Sequence, residues 1–377
     1  MPPRKVALVI VSTAASGTER RMAFVFRELS RRFPGVYLLV LSGDLLRALK
    51  EGGFDLVGRP DVKALTGRSS LDKKRGAEDG LLRNAGRVVT LFRYRRELVK
   101  ILRQEPVDLV HSYLEMVPFL GWFPLPGVKM TASLVSHLPK YYDRRNPNCR
   151  LLLGALRRYA KVDALYSFIV DRLVALGVPP AKISFPTRNC VDTERFHPQQ
   201  RERIVTFTGR AYAFKNPVLM LDVIEQVGSV HADVRFFVLG EGPLLETLRR
   251  KAGASRLAGR IEVDHFPDPS VIVNRSAVHV CLEEYDNATN QSLLEGMAAG
   301  CAVVASDVGL TSSVVRGGNG MLVPLERHAI AEAVSDLLRD KERAEEMGRA
   351  ARRTCLEEHD VRTYIEYLRA VQGFLPD

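Results

Sequence analysis

The chain has 377 residues, of which 46% are hydrophobic and 26% charged, a composition typical of a soluble globular protein with room for two domains. No apolar run reaches the about 20 residues that a membrane-spanning helix needs, since the longest candidate, at 117–128, contains three prolines. The five cysteines are scattered and form no CxxC pair, which argues against a disulfide framework and a zinc site and indicates a reduced, cytoplasmic protein.

The charge is distributed unevenly along the chain. The first 190 residues contain 33 basic and 16 acidic residues, a net charge of +17, whereas the remainder contains 22 basic and 28 acidic residues, a net charge of −6. Such asymmetry indicates an anionic partner for the first half.

The first half alternates apolar strands with helices. The apolar segment Val6–Val11 is too short for the core of a signal peptide and fits better a first buried strand that ends in a glycine loop. Helical spacing follows at 18–32 and again at 81–104. Further strands are predicted at 36–42, 108–113, 129–137, 162–167 and 182–186. Continuous apolar strands separated by helices indicate a parallel sheet that is covered on both faces.

The second half repeats this rhythm. Helices are predicted from Pro217 and at 243–252, and the segment 360–374 reads as an amphipathic helix. Strands are predicted at 204–209, 234–240, 260–263, 278–282, 301–306 and 320–324. We therefore predict two tandem doubly wound, Rossmann-like α/β domains, with a junction near 189–203, where proline and charge replace apolar periodicity.

The stretch NATNQSLLEGMAAGCAVVAS at 287–306 combines a short helix with a following strand. Ser292 and Glu295 have the spacing of a capping box, which predicts a helix start at Ser292 without any ligand. The same helix would follow the carboxyl end of the strand at 278–282, where open α/β sheets bind ligands. A helix N-terminus there would suit an anion, and Glu295 could accept hydrogen bonds from sugar hydroxyls attached to it.

Several segments of the second half resemble the group 1 family of retaining glycosyltransferases, which have the two-domain GT-B fold. The matching segments are RNCVDTERFHP (188–198), GRAYAFKN (209–216), VLGEGPLLETL (238–248), SLLEGMAAGCAVVASDVG (292–309) and NGMLVP (319–324). In the first half, SGTERRMAFVFRELSRRF (16–33) and DLVHSYLEMV (108–117) are similar to the family's glycine loop and fourth-strand region. The resemblance implies an acceptor-binding domain at 1–187 and a nucleotide-sugar-binding domain at 188–358 that face a cleft. It also implies that the helix at 359–377 crosses back to the first domain.

The resemblance also implies roles for particular residues. Arg210 and Lys215 stand where the family neutralises the diphosphate of the donor, and that leaving group needs fixed cations. Glu295 matches the glutamate that holds the ribose hydroxyls of the nucleotide. The donor-binding set implied around them also includes Gly209, Ser292, Leu293 and Leu294.

Three further positions belong to the implied site. Gly17 matches the family glycine whose backbone approaches the donor phosphates, and His137 stands where the family often has a histidine that contacts the reacting sugar. Where the family has a second glutamate that touches the donor sugar, this chain has Asn287, and Glu283, Glu284 and Asp286 are near enough in sequence to compensate. His111 also ends a predicted strand, but a lone histidine is more often structural than catalytic.

The resulting prediction is a retaining, metal-independent hexosyltransferase that moves a sugar from a nucleotide-diphosphate sugar to a glycan or lipid-linked acceptor. It needs no cofactor beyond the donor and would serve cell-surface polysaccharide or glycolipid biosynthesis. Two alternatives remain open: a sugar-nucleotide epimerase of the same fold, and a nucleotide-sugar-binding protein that lost catalysis with the change at Asn287.

The basic residues concentrate at 59–103, where Phe92 and Tyr94 are the few aromatic residues. So few aromatic side chains give little support for stacking on nucleic acid. The charge favours instead peripheral attachment to an anionic membrane surface through the first domain, on the inner face of the cytoplasmic membrane. An amphipathic helix at 81–104 with an ordinary arginine-rich polar face is the alternative.

Overall fold

The computed structural model describes residues 5–12, 17–33, 37–65, 81–113, 116–134, 142–164, 167–184, 189–285, 290–309 and 311–372. The chain divides into two compact units. The first consists of Met1–Thr187 together with Tyr364–Asp377, and the second of Arg188–Thr363.

The first unit is built on a seven-stranded sheet in which all neighbouring strands are parallel. Its order, β3-β2-β1-β4-β5-β6-β7, reverses direction between β1 and β4, as in doubly wound folds. The strands are β1 (Val6–Ile10), β2 (Tyr37–Ser42), β3 (Val62–Leu65), β4 (Leu109–Tyr113), β5 (Lys129–Leu134), β6 (Lys161–Ala164) and β7 (Ile183–Ser184). The sheet is flanked by the helices α1 (Gly17–Arg32), α2 (Gly43–Glu51), α3 (Leu81–Gln104), α4 (Met116–Trp122), α5 (Pro147–Leu156) and α6 (Ser167–Ala175).

The second unit has a six-stranded parallel sheet in the order β10-β9-β8-β11-β12-β13, which repeats the same reversal between β8 and β11. Its strands are β8 (Glu202–Thr208), β9 (Arg235–Leu239), β10 (Ile261–Asp264), β11 (Ser276–Cys281), β12 (Ala302–Ser306) and β13 (Met321–Val323). Its helices are α7 (Pro217–Val230), α8 (Leu245–Gly253), α9 (Ser270–Val273), α10 (Gln291–Ala298), α11 (Thr311–Val314), α12 (Arg327–Arg339) and α13 (Lys341–Glu358). The last helix, α14 (Val361–Gln372), belongs to the first unit from Tyr364 onward. The predicted pair of Rossmann-like α/β sheets is confirmed.

Apolar residues cover both faces of the second sheet. One face packs against α7 and α12 through a core that includes Val205, Ile224 and Val334. The other packs against α10 and α13, where Met297, Ala298 and Ala351 meet Cys355. Because both faces are buried, β8, β11 and β12 read as nearly continuous apolar runs in the sequence. All five cysteines are buried thiols.

A buried polar network runs across the first unit and includes the last helix. Asp163 on β6 is almost completely buried; it accepts hydrogen bonds from Tyr367 of α14 at 2.5 Å and from Ser133 of β5 at 2.8 Å. His111 of β4 lies 2.9 Å from the same serine hydroxyl. Burial raises the pKa of Asp163, and the positive charge of Arg21 partly opposes that rise. The half-buried Tyr367 is therefore joined to the interior of the first unit by this bond.

Candidate functional site

The candidate site of the second unit lies at the point where the strand order reverses. The loops that leave the carboxyl ends of β8 and β11 begin side by side there, because these two strands are paired. Open α/β sheets bind their ligands at such points. Arg210 and Lys215 lie on the first of these loops, and Glu283 begins the second.

The β8 loop is shaped by residues with positive φ. Gly209 has φ 155° and Asn216, which precedes α7, has φ 53°. Asparagine tolerates this left-handed conformation better than most residues, and Pro217 then starts the helix at the position where proline is favoured. Lys215 is the last residue of a single 3-10 turn at Ala213–Lys215, so its backbone is fixed on both sides.

A second glycine loop supports the first by direct backbone contact. A Cβ added to Gly240 would lie 1.7 Å from the carbonyl oxygen of Gly209. Gly242 has φ 151°, and its Cβ would lie 2.7 Å from the carbonyl oxygen of Ala211. The N–H of Ala211 donates to the carbonyl of Glu241 at 2.7 Å. The motif VLGEG at 238–242 therefore serves to hold the loop that carries Arg210.

Phe214 brings the two predicted cations together. The Lys215 Nζ lies 5.6 Å from the centroid of its ring, and the Arg210 guanidinium carbon lies 6.0 Å from the same centroid. Arg210 also lies 5.2 Å from the ring centroid of Tyr212. Aromatic faces attract cations at these distances, so the loop orients both positive charges toward one side chain.

Glu283 supplies the carboxylate that faces Lys215. Its Oε1 forms an ion pair with Lys215 Nζ, and the two side chains are 6% and 12% exposed. Its backbone N–H donates to the hydroxyl of Ser306, which donates back to the carbonyl of Glu283, both at 2.9 Å. The next N–H, of Glu284, donates to the carbonyl of Phe214 at 3.0 Å. These bonds fix the start of the β11 loop against both β12 and the Lys215 loop.

Asn290 joins this ion pair to the start of α10. Its Nδ2 donates to Glu283 Oε1 and to the sulfur of Cys281 at 2.6 Å, while its Oδ1 accepts from the N–H of Ser292 at 3.1 Å. Asn290 is therefore the N-cap of the helix, and the capping box predicted for Ser292 and Glu295 is wrong. Asparagine is as good an N-cap as serine, and here it also binds the carboxylate.

Ser292 does not cap the helix; its side chain forms hydrogen bonds that hold α10 against the sheet. Its hydroxyl donates to the carbonyl of Thr208 at 2.6 Å and lies 3.2 Å from Nε2 of His279. The other ring nitrogen of His279 lies 2.9 Å from the hydroxyl of Thr206. Burial lowers the pKa of His279 to about 4, so this imidazole is neutral near pH 7. Gly296 completes the contact, since its Cβ would lie 2.4 Å from the His279 ring.

The remaining predicted residues of α10 have different surroundings. Leu293 and Leu294 are buried in the core, so their side chains hold the helix rather than a ligand. Glu295 is half-buried in the second turn of the helix. The first turn, which begins at Gln291, carries the positive end of the helix dipole. It lies close to the Lys215–Glu283 pair, because the N-cap Asn290 donates a hydrogen bond to Glu283.

Four positions singled out in the sequence remain: Gly17, His111 and His137 in the first unit and Asn287 in the second. Gly17 is the first residue of α1, as expected of a glycine that follows the first strand. His137 and Asn287 lie outside the described residues, and their roles stay predictions. His111 has a structural environment, because it is fully buried between Thr131 and Ser133 and burial lowers its pKa to about 3.

Within the described part of the chain, no three side chains of the His, Cys, Asp or Glu types come together as ligands for a metal ion. None of the described helices combines the length and the apolar character needed to cross a bilayer.

The chain is similar to known proteins over both units. Residues 192–354 match the family model described as glycosyl transferases group 1. Those residues belong to the group 1 glycosyltransferases. The matched range contains Arg210, Lys215, Glu283, Asn290 and Glu295, so the whole candidate site lies within the family domain. The predictions of this family and of an enzyme are confirmed.

Curated relatives extend the similarity over more of the chain. A D-inositol 3-phosphate glycosyltransferase of Gordonia bronchialis is 27% identical over 72% of this chain and 68% of its own length. The protein of that name from Kribbella flavida is 29% identical over 93% of this chain and 91% of its own length. Among solved structures, Anabaena HepE in complex with UDP-glucose has a TM-score of 0.76 at 14% identity, covering 98% and 99% of the two chains. That structural likeness confirms the GT-B fold.

Proposed function

We propose that this group 1 glycosyltransferase uses a nucleotide-diphosphate sugar and transfers its sugar, with retention of configuration, to a hydroxyl of a glycan or lipid-linked acceptor. The observation that supports this most is the arrangement of Arg210, Lys215 and Glu283 at the N-cap of α10. A diphosphate placed there would meet two cations and the positive end of a helix.

The proposed roles follow from what each group can donate or accept. Arg210 and Lys215 stabilise the charge that develops on the leaving diphosphate, which makes the reaction independent of a metal ion. Glu295 accepts hydrogen bonds from the ribose hydroxyls. Glu283 holds Lys215 in place before the donor arrives, because the pair is nearly buried. As the bond between the anomeric carbon and the phosphate oxygen breaks, the acceptor oxygen bonds to that carbon on the same face of the sugar. The proton of the acceptor hydroxyl passes to the departing phosphate oxygen, and the configuration is retained.

We propose a uridine diphosphate sugar as the donor, since HepE, a structural neighbour that covers nearly the whole chain, is in complex with UDP-glucose. A panel of UDP-, GDP- and ADP-sugars, assayed in the presence of EDTA, tests both the base and the metal independence. NMR of the product reads the anomeric configuration. An inverted product or an absolute metal requirement would refute the mechanism while leaving the family intact.

The names of the curated relatives favour a second acceptor class, a phosphorylated polyol such as inositol phosphate. The net charge of +17 on the first 190 residues suits any such anionic acceptor. Parallel assays with inositol 3-phosphate, free inositol and a lipid-linked sugar distinguish the classes. Conversion of the nucleotide sugar into its epimer, without any acceptor product, would instead indicate an epimerase. Donor binding without epimerisation, hydrolysis or transfer would indicate an inactive binding protein.

We further propose that the protein works in the cytoplasm, in cell-surface polysaccharide or glycolipid biosynthesis, and attaches peripherally to an anionic membrane. The excess of basic residues in the first half supports the attachment.

A further inference from the structure

The first unit carries a continuous patch of exposed apolar side chains. Phe92 on α3 packs edge-on against Phe123, with ring centroids 4.6 Å apart. Trp122 donates from its indole nitrogen to the carbonyl of Leu151 on α5 at 2.8 Å. Val89 stands one turn before Phe92 on the same helix. All five side chains are between 41% and 68% exposed to solvent, although residues of this type usually bury most of their surface.

The position of Trp122 is fixed by its neighbours. A Cβ on Gly154 would lie 2.4 Å from the indole ring, so the ring packs closely against α5 at the place where that helix has no side chain. Arg95 donates to the backbone carbonyls of Phe123 and Pro124 at 2.9 and 3.1 Å, which fixes the chain that follows α4. The apolar patch is therefore held on rigid elements and is not a frayed end.

A basic stripe continues the patch along α3. Arg93, Arg96, Lys100 and Arg103 recur every three or four residues, so they share one face of the helix with Val89 and Phe92. All four are exposed; Arg93 lies 3.8 Å from Glu97. The space beside this stripe, about 580 Å³ in volume, is lined by side chains of α3: Arg93, Arg95, Arg96, Glu97, Val99, Lys100 and Arg103.

We propose that this surface, formed by Val89, Phe92, Trp122, Phe123, Leu151 and the basic stripe of α3, docks the protein on a bilayer that contains anionic phospholipids. Aromatic side chains settle at the level of the lipid headgroups, and basic residues beside them bind the headgroup phosphates. The combination of both on one face is what an interface of this kind requires. The proposal rests on the membrane attachment proposed above and names the surface responsible for it; it concerns the first unit alone and does not depend on the donor site.

The arrangement of the rings favours lipid over nucleic acid. Phe92 and Phe123 pack edge to face, with an angle of 62° between their ring planes, and Trp122 packs against α5 at Gly154. Successive bases stack on aromatic faces that are open along a strand, and the inclined Phe92 and Phe123 rings do not offer two such parallel faces. A headgroup layer needs only apolar area and positive charge, and the surface offers both.

Trp122 allows a direct test, because it is the single tryptophan of the chain and is 52% exposed. Its emission is recorded with vesicles of phosphatidylcholine alone and with 30% phosphatidylglycerol. We expect a blue shift only with the anionic vesicles, reversal by 0.5 M salt, and quenching by brominated phosphatidylcholine. No association with anionic vesicles, or association without any change in Trp122 emission, would overturn the proposal.

Matched variants separate the two parts of the surface. R96Q/K100Q should weaken vesicle binding roughly 20- to 30-fold, since each basic residue near an anionic surface contributes about fivefold. The control R32Q/K50Q removes the same charge from α1 and α2 and should weaken binding far less. F92S/L151S should weaken binding at least roughly tenfold, against little change for V57S/V174S, which alters exposed apolar residues elsewhere on the unit.

Thermal unfolding of each variant shows whether the fold is kept, and UDP binding should be unchanged in all of them. Equal losses in test and control variants would mean that net charge or general apolar exposure governs binding, and the surface proposal would then be wrong. A larger shift of Trp122 emission with a single-stranded oligonucleotide than with anionic vesicles would also contradict it.

Discussion

Lys215 and Glu283 are 68 residues apart in the chain and form an ion pair in which each side chain is nearly buried. The lysine follows β8 and the glutamate follows β11, so the pairing of these strands brings them together. A charge removed from water to this extent needs its partner. The pair therefore holds a nearly buried cation near the start of α10, and in the proposed function the diphosphate of the donor competes with Glu283 for it.

Replacement of Lys215 by alanine should remove nucleotide binding and also lower stability. The free energy of unfolding should fall by about 3 to 5 kcal/mol, because Glu283 is left without its counter-charge. Transfer activity should fall roughly 10²- to 10³-fold. Calorimetric titration with UDP and chemical unfolding measure the two effects. K251A is the matched control, since Lys251 pairs with Asp222 on the exposed surface of the same unit, and it should change neither quantity by much.

Replacement of Glu283 by glutamine should separate binding from catalysis. The amide removes the negative charge that competes with a diphosphate for Lys215, so UDP should bind at least as tightly as to the wild-type protein. The turnover number should fall, because the lysine is no longer held by a charged partner. Separate measurement of kcat and of the UDP dissociation constant checks this. Loss of UDP binding would instead make Glu283 a direct ligand of the donor.

The role proposed for Glu295 can be tested with altered nucleotides. Wild-type protein should bind 2′-deoxy- or 3′-deoxy-UDP roughly 10- to 100-fold more weakly than UDP, the effect of losing a hydrogen bond to a charged group. In E295Q the same comparison should give little difference, because the charged acceptor is already gone. If the variant discriminates as strongly as the wild type, the ribose is held elsewhere.

The close approach of Gly240 to Gly209 predicts a large effect of one methyl group. G240A should displace the Arg210 loop and weaken UDP binding strongly, since the added Cβ would lie 1.7 Å from a backbone oxygen. G253A is the control in the same unit: nothing lies within 4 Å of its Cβ, and it should leave binding unchanged. Thermal shift with and without UDP compares the two variants.

The buried His279 predicts a loss of stability in mild acid. Its pKa is about 4 in the folded protein, below the ordinary value of 6.5, because burial disfavours the charged ring. Between these values the unfolded chain binds the proton and the folded chain does not, so stability falls as pH decreases from 6.5 toward 4, by up to about 1.4 kcal/mol per pH unit. H279Q should be less stable at pH 7 but show a shallower decline, measured by calorimetry from pH 7.5 to 4.5. An unchanged slope would contradict the assignment.

The sequence predicted most strands because parallel strands buried on both faces are apolar throughout. It missed β3, Val62–Leu65, which lies at the edge of its sheet and contains a lysine. It also placed the N-cap of α10 two residues late, because Ser292 fits a capping pattern as well as Asn290 does. The structure decides between them, because Asn290 accepts from the N–H of Ser292 while the serine hydroxyl donates to the carbonyl of Thr208.

For the candidate site, the resemblance supplied single positions, such as Arg210, Lys215 and Glu295, whose roles in binding stay predictions. The contacts between distant segments could not be predicted in this way. That Glu283, rather than Glu284 or Asp286, faces Lys215 depends on the direction of the β11 loop, which the bonds of Ser306 fix. Local spacing carries no information about such a bond.

The hydrogen bond between Tyr367 and Asp163 also sets the order in which the molecule can be completed during synthesis. Most of the first unit leaves the ribosome early, but the residue that covers its buried aspartate is made after the entire second unit. The second unit can therefore reach its final state first. Until translation has passed residue 367, Asp163 lacks the hydrogen bond from Tyr367, so pausing or truncation near α14 would leave the first unit incomplete although most of it has already been made.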